Sequence, residues 1–141
     1  MKEAVQVVIL NEHGQVLVVS RKDDHSAFGL VGGKVDEGET LMEAIIRETK
    51  EETGLTIFEK DLIQIFSMHR NGYMGYTYLT DHYKGEIQTD EDHVVRWDIF
   101  NEITHSSAPF GEWNRLVAES MVSMGLHFDY KYYQVGDKIY Y

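Results

Sequence analysis

The chain has 141 residues, 43% of them hydrophobic, and a formal net charge of −11, which fits one domain over residues 1–141 with one core. The negative charge disfavours general nucleic-acid binding, which depends on Lys and Arg displacing counterions, and no apolar run approaches the roughly 20 residues that cross a bilayer. Because cysteine and an apolar leader are both absent, we expect a soluble cytoplasmic protein without a membrane partner.

The first third of the chain is predicted to form short strands. Segments 4–10 and 16–20 are rich in valine and isoleucine, and the turn-like segment 11–14 separates them, so we predict a β-hairpin. The pair Leu30-Val31 predicts a further short strand, which ends where Gly32 and Gly33 give the backbone unusual freedom.

The stretch from Gly33 to Leu55 changes from a glycine-rich loop into an amphipathic helix. Leu41, Ile45 and Thr49 recur every four residues, which predicts a helix over 40–53. Thr40 is a polar start for this helix, and Gly54 is a natural stop in the left-handed conformation.

The remaining segments alternate between strands, turns and a second helix. The Asn71-Gly72 pair is a strong hairpin signal. The predicted elements are a strand over 57–69, its partner over 73–82, a strand over 93–99, a loop over 100–110, a helix over 110–124 and a terminal hairpin over 128–141. This order favours a layered α/β or α+β domain.

Three carboxylates are predicted to converge on one face of the first helix. Glu48 lies one turn from both Glu51 and Glu52, so their charges repel unless a cation lies between them. Oxygen ligands in this number suit Mg²⁺ or Mn²⁺, and Arg47 can hold the carboxylates through ion pairs. The alternative is a solvated charged face, but only Arg47 and Lys50 are near enough to neutralise the cluster.

These residues match a known motif. The segment resembles the Nudix box, Gly-x5-Glu-x7-Arg-Glu-U-x-Glu-Glu-x-Gly-U, in which U is a bulky aliphatic residue. All seven fixed positions are filled, by Gly33, Glu39, Arg47, Glu48, Glu51, Glu52 and Gly54. Leu55 fills the last U position, whereas Thr49 departs from the pattern at the first. We expect the Thr49 hydroxyl to bond back to a helical carbonyl while its methyl group packs.

The resemblance to the Nudix family implies a fold, a reaction and a set of residue roles. The implied fold is an α/β/α sandwich with a mixed central β-sheet and two main helices. The implied reaction is Mg²⁺-dependent hydrolysis of a nucleoside diphosphate linked to another moiety, by a water that the metal activates. The implied metal ligands are Glu48, Glu51, Glu52 and the carbonyl of Gly32, with Gly33, Glu39, Arg47 and Gly54 as supports.

Two features of the implied site stay open. The box does not decide which carboxylate is the general base. Family members often add an acidic residue from a later loop, for which Glu91 is favoured over its neighbours Asp90 and Asp92, and a solvated loop is the alternative.

The substrate is predicted from aromatic residues and one asparagine. Candidates for holding a base are Phe28, Tyr73, Tyr76, Trp97, Phe110 and Asn114, of which Phe28, Tyr73 and Asn114 are preferred. Nucleoside triphosphates, including oxidised purine nucleotides such as 8-oxo-dGTP, are the preferred substrates. Dinucleoside polyphosphates, nucleotide sugars and ADP-ribose are alternatives, and a catalytically silent nucleotide-binding module is an alternative of another class.

The C-terminal tail is rich in tyrosine. Tyrosine is enriched at protein interfaces, so the tail predicts either a homodimer contact or packing on its own domain.

Overall fold

The computed structural model of the protein describes residues 2–89 and 92–140. The described strands are β1 Lys2–Ile9, β2 Val16–Ser20, β3 Phe28–Lys34, β4 Ile63–Arg70, β5 Tyr73–Thr80, β6 Val95–Asp98, β7 Tyr133–Val135 and β8 Lys138–Tyr140. The described helices are α1 Leu41–Thr53 and α2 Gly111–Ser123, with short 3-10 turns at Glu59–Asp61 and Phe100–Ile103. The first of these turns delays β4 to Ile63, six residues after its predicted start.

Six of these strands form one mixed sheet in the order β4-β5-β1-β3-β2-β6. Strand β1 runs parallel to β5 and antiparallel to β3. The predicted hairpin of β1 with β2 is therefore wrong: β3 lies between them, and an isolated bridge from Leu10 to Val16 joins the two segments. The reason is the burial of β1: consecutive residues from Val7 to Ile9, and Leu10 after them, are buried, so side chains on both faces of this strand are covered. A strand covered on both faces belongs in the interior of a sheet.

The two helices cover opposite faces of the sheet. Val5, Val7 and Ile9 of β1 belong to the core cluster that includes Ala44 and Ile45 of α1. The alternate residues Val8 and Leu10 belong to a second cluster with Trp113 and Val117 of α2. This alternation follows the period of two along a strand. It confirms the predicted α/β/α sandwich with a mixed central sheet.

Local signals place the limits of α1 and the turn between β4 and β5 where the sequence predicts them, whereas β3 continues past its predicted end at Gly32 and Gly33 to Lys34. The Thr40 hydroxyl accepts a hydrogen bond from the Glu43 amide over 3.1 Å, and the Glu43 carboxylate accepts one from the Thr40 amide over 3.0 Å, which completes a capping box. Gly54 ends α1 with a φ of 81°. The hairpin turn between β4 and β5 has positive φ at both Asn71 and Gly72.

The aromatic tail packs partly on its own domain. The ring centres of Phe128 and Tyr130 lie 5.4 and 5.7 Å from that of Phe100, and the predicted terminal hairpin follows as β7 and β8. A homodimer contact stays a prediction. Within the part of the chain that the structure describes, neither helix is long and apolar enough to span a bilayer.

Candidate active site

Arg47 binds acidic residues just before α1 and along it. Its Nε and Nη2 atoms donate to the two carboxylate oxygens of Glu39 over 2.7 and 3.0 Å. Its Nη1 donates to Glu48 over 3.0 Å and to Glu51 over 3.2 Å. Donation from Arg47 lowers the pKa of Glu39 to about 2, so this carboxylate stays ionised and holds the guanidinium in place.

Glu52 is the most electrostatically strained member of the cluster. Burial, reinforced by the neighbouring Glu48 carboxylate, raises the pKa of Glu52 to about 8. Its Oε1 accepts the Gly32 amide over 3.1 Å, which opposes the rise but does not cancel it. Near neutral pH this side chain therefore keeps its proton unless additional positive charge arrives.

The glycines of β3 make room for this cluster. A Cβ atom at Gly33 would lie 2.5 Å from the carboxylate carbon of Glu48, and a Cβ atom at Gly32 would overlap the carbonyl oxygen of Val5. Both positions exclude side chains, since real Cβ atoms do not approach other atoms so closely. The two glycines thus allow α1 to bring Glu48 and Glu52 directly against the sheet.

The carboxylates of Glu48, Glu51 and Glu52 are suitable ligands for a divalent cation, but two of them contact Arg47 in this structure. Within residues 2–89 and 92–140, no three histidine, aspartate or glutamate side chains form a ready metal-binding group. Instead, Glu48 and Glu51 both contact Nη1 of Arg47, and Glu51 is 59% exposed. Since oxygen ligands suit Mg²⁺ and Glu52 lacks a compensating charge, a cation drawing the three carboxylates together would relieve the repulsion.

Of the three candidates for an additional acidic ligand, the structure describes Asp92. Glu91 and Asp90 are outside the described residues. Asp92 is described, and its carboxylate lies 3.7 Å from the ammonium group of Lys22.

A cavity of about 520 Å³ extends from the start of α2 to Glu52 of the carboxylate cluster. Gly32, Gly33 and Glu52 form one part of its wall, and Trp113 and Asn114 of α2 form another. A larger open cleft of about 890 Å³ lies beside Tyr83 and Trp97, but none of the preferred site residues lines it. We therefore associate the chemistry with the smaller cavity, which adjoins the carboxylates.

Glycine and alanine residues on neighbouring strands form part of the cavity wall. Ala4 of β1 is opposite Gly75 of β5, and Gln6 is opposite Gly32 of β3. A Cβ atom at Gly75 would lie 2.7 Å from Trp113, so glycine lets the indole pack onto the sheet. A glycine inside a strand pattern is the sequence signal that could have indicated this close approach.

Two of the three preferred substrate residues line the cavity. These are Tyr73 and Asn114. Phe28 does not line it: this residue is 6% exposed in the core, and the guanidinium carbon of Arg96 lies 4.0 Å from its ring centre. A contact of Phe28 with the base stays a prediction, which the structure does not favour because the ring already has neighbours on the core side and under Arg96.

Asn114 is the most informative polar residue of the cavity. It is 1% exposed, and its Nδ2 donates to the Ile103 carbonyl over 2.9 Å. Its Oδ1 has no hydrogen-bond partner among the described residues. A buried acceptor without a partner costs about 1–3 kcal/mol, so this oxygen is suited to a donor on a ligand.

Comparison with known proteins agrees with the fold and the motif. A family model described as the NUDIX domain matches residues 1–119. A solved MutT structure, from work on Aliivibrio salmonicida and Vibrio cholerae, superimposes with a TM-score of 0.70 at 22% identity, over 86% of this chain and 98% of that one. At this identity the likeness concerns the fold. The chain belongs to the Nudix family, whose members hydrolyse phosphorus-containing acid anhydrides.

Relatives of known name differ in their substrates. The RNA pyrophosphohydrolase of Novosphingobium aromaticivorans is 30% identical over 156 residues, covering 97% of this chain and 91% of that protein. The ADP-ribose pyrophosphatase of Methanocaldococcus jannaschii is 33% identical over 90 residues, covering 60% of this chain. The chain spans 53% of that protein's length, and about half or less of several other curated relatives.

Proposed function

We propose that this protein is a Mg²⁺-dependent pyrophosphohydrolase of nucleoside triphosphates that prefers oxidised purine nucleotides such as 8-oxo-dGTP and works in the cytoplasm. The observation that carries the proposal is the position of Glu52. This residue belongs to the carboxylate cluster and also lines the cavity that contains Asn114. A base held near Asn114 would therefore place its phosphates toward the carboxylates.

The residues of the cluster would have different roles in hydrolysis. Glu48, Glu51, Glu52 and the Gly32 carbonyl would hold the cation, and Arg47 and Glu39 would keep the carboxylates in register. The cation, when bound, neutralises phosphate charge and makes water more acidic. Mn²⁺ would serve the same ligands.

The reaction exchanges one bond to phosphorus for another. Water adds to a phosphorus atom of the triphosphate, and the bond from that phosphorus to the bridging oxygen breaks, which gives a nucleoside monophosphate and pyrophosphate. A carboxylate of the cluster takes the proton from the water and returns it to solvent. Glu48, Glu51 and Glu52 are all candidates for this base.

Asn114 explains why an oxidised purine would be preferred. Its Nδ2 is held by the Ile103 carbonyl, which leaves Oδ1 as an acceptor. Guanine presents a lone pair at N7, whereas 8-oxoguanine carries an N–H there. The N7 lone pair of guanine would repel Oδ1, whereas the N7–H of 8-oxoguanine would donate a hydrogen bond to it. Oδ1 therefore favours 8-oxoguanine over guanine.

A substrate panel tests the proposal. Purified protein is incubated with 8-oxo-dGTP, the common nucleoside triphosphates, a dinucleoside tetraphosphate, ADP-ribose and a nucleotide sugar, in Mg²⁺ and in Mn²⁺, and all products are identified. We expect the highest kcat/KM for 8-oxo-dGTP, with monophosphate and pyrophosphate as products. A mononucleotide plus a longer nucleotide would instead identify a dinucleoside polyphosphate hydrolase, and inactivity on every substrate would favour a nucleotide-binding module.

A second candidate function is removal of pyrophosphate from the 5′ end of triphosphorylated RNA. The relative from Novosphingobium aromaticivorans favours it, because the alignment covers nearly the whole of both proteins. The chain's net charge of −11 opposes broad contact with a phosphate backbone, so recognition would be limited to the terminal nucleotide. A triphosphorylated oligonucleotide in the same panel distinguishes the two candidates.

Replacing Asn114 is expected to reduce the preference for the oxidised base. Asn114→Leu removes the buried acceptor and keeps a similar volume, so kcat/KM for 8-oxo-dGTP should fall about tenfold to a hundredfold, while that for dGTP changes less. The ratio of the two kcat/KM values is the measurement. An unchanged ratio would contradict the role of Asn114 in reading the base.

A further inference from the structure

Phe110, immediately before α2, has an unusual backbone conformation. Its φ of 56° and ψ of 27° lie in the left-handed region, which non-glycine residues seldom occupy. Among the described non-glycine residues Asn71 shares this feature, but Asn71 belongs to a hairpin turn that requires it. The residue before a helix is usually an extended Ser, Thr, Asp or Asn that caps it, whereas Phe110 makes no side-chain capping bond. Local sequence preferences therefore do not explain the left-handed backbone conformation of Phe110.

The chain around Phe110 holds it in this conformation. The amide of Gly111 donates to the Ala108 carbonyl over 3.1 Å, and the amide of Asn114 donates to the Phe110 carbonyl over 2.9 Å. A Cβ atom at Gly111 would overlap the His105 carbonyl oxygen, so the start of α2 is pressed against the preceding loop. These contacts fix the backbone but leave the Phe110 side chain outside the core.

The Phe110 ring is exposed at the wall of the cavity. The residue is 67% exposed, although burial of a phenylalanine ring normally stabilises a protein. It lines the same cavity as Asn114, which lies four residues later and so on the same side of the helix start. An exposed apolar ring on a residue with a strained backbone is better suited to binding a ligand than to stabilising the fold.

The other described aromatic residues of the cavity wall are already engaged. Trp113 is 6% exposed, and its ring packs edge-on against Phe66 at 5.2 Å. Tyr73 has the ammonium groups of Lys2 and Lys34 within 5.6 and 5.7 Å of its ring centre. The remaining one, Tyr76, packs against the core cluster under α1. Phe110 is thus the described cavity aromatic whose ring is mostly free.

We propose that Phe110 is the platform on which the base of the substrate stacks, and that its left-handed backbone holds the ring at the cavity wall for this purpose. The proposal rests on the proposed nucleotide hydrolase function and adds a residue that selects for a planar base. Stacking of a base on an aromatic ring depends little on sequence, since every base has a π face. Phe110 therefore supplies affinity for the base, while Asn114 distinguishes one base edge from another.

The variant Phe110→Gly separates a stacking role from a structural one. Glycine adopts positive φ without strain, so the melting temperature should stay the same or rise. KM for the best purine nucleoside triphosphate should rise about tenfold, whereas kcat should change less than about threefold. Phe110→Tyr keeps the ring and should retain the wild-type KM. Ile63→Ala, at a residue that is 57% exposed and outside the cavity wall, is the matched control and should leave KM unchanged.

Product inhibition shows whether the base itself is lost. Inhibition by dGMP should weaken about tenfold in Phe110→Gly, while inhibition by deoxyribose 5-phosphate, which has no base, should not change. If wild-type protein hydrolyses no nucleotide of the panel, the proposed function fails. If the wild type is active and Phe110→Gly retains its KM and its dGMP inhibition, the stacking role is overturned. A lower melting temperature with equal loss of both inhibitors would also overturn it, by showing a structural role.

Discussion

Glu52→Gln is expected to reduce turnover of the preferred nucleotide by on the order of a hundredfold to a thousandfold while the protein stays folded. Glutamine has almost the same shape, and its carbonyl oxygen can still accept the Gly32 amide that Glu52 accepts over 3.1 Å. It cannot contribute negative charge to a cation or take a proton from water. Steady-state kinetics in saturating Mg²⁺ and a circular dichroism melt measure the two properties separately.

The matched control for this variant is Glu59→Gln. Glu59 lies in the exposed 3-10 turn at Glu59–Asp61, away from the cavity wall, and the substitution removes the same charge. Its turnover should stay within about twofold of wild type, since isolated surface charges contribute little. Equal activity of Glu52→Gln and Glu59→Gln would exclude Glu52 as a metal ligand.

Helix α1 was predictable because its signals are local. The spacing of Arg47, Glu48 and Glu51 along one helix face follows from the helical period and does not depend on the rest of the chain. Thr49 is fully buried, and its hydroxyl donates to the Ile45 carbonyl over 2.7 Å, as its position on the apolar face predicts. The limits of the helix also depend on neighbouring residues, through the capping box at Thr40 and the left-handed Gly54.

The order of the strands was less predictable, because pairing depends on distant segments. Proximity in sequence favoured a hairpin of β1 with β2, but β3 occupies the place between them. The continuous apolar run from Val7 to Leu10 already indicated a strand covered on both faces. This signal favours an interior strand but does not identify its partners.

The residues that line the cavity were also only partly predictable from the sequence. Asn114 was selected through the family resemblance and its place at the start of the second helix, and the structure places it in the cavity wall. Phe28 and Phe110 are both phenylalanines beside a glycine, yet Phe28 is buried and Phe110 exposed. Gly111 lies close against the His105 carbonyl oxygen in the preceding loop, a contact that the sequence pattern does not contain.

Without a divalent cation, the protein is expected to lose stability as the pH rises from about 4.5 to about 8. These limits are the ordinary pKa of a glutamate and the raised pKa of Glu52 in the folded state. Between them the folded protein retains a proton that the unfolded chain has released, so unfolding becomes more favourable as the pH rises. The contribution of Glu52 is complete below about pH 4.5 and absent above about pH 8.

Mg²⁺ should reverse this loss, because it replaces the proton as the positive charge in the cluster. The rise in melting temperature on adding Mg²⁺ should be greater at about pH 8.5 than at about pH 5.5, by roughly 3–6 °C. In Glu52→Gln, which imitates the protonated side chain, the melting temperature in EDTA should exceed that of wild type by more at the higher pH than at the lower, because the loss from Glu52 is nearly complete at the higher pH and has only begun at the lower. Equal Mg²⁺ effects at both pH values in the wild type would contradict a proton and a cation competing for Glu52.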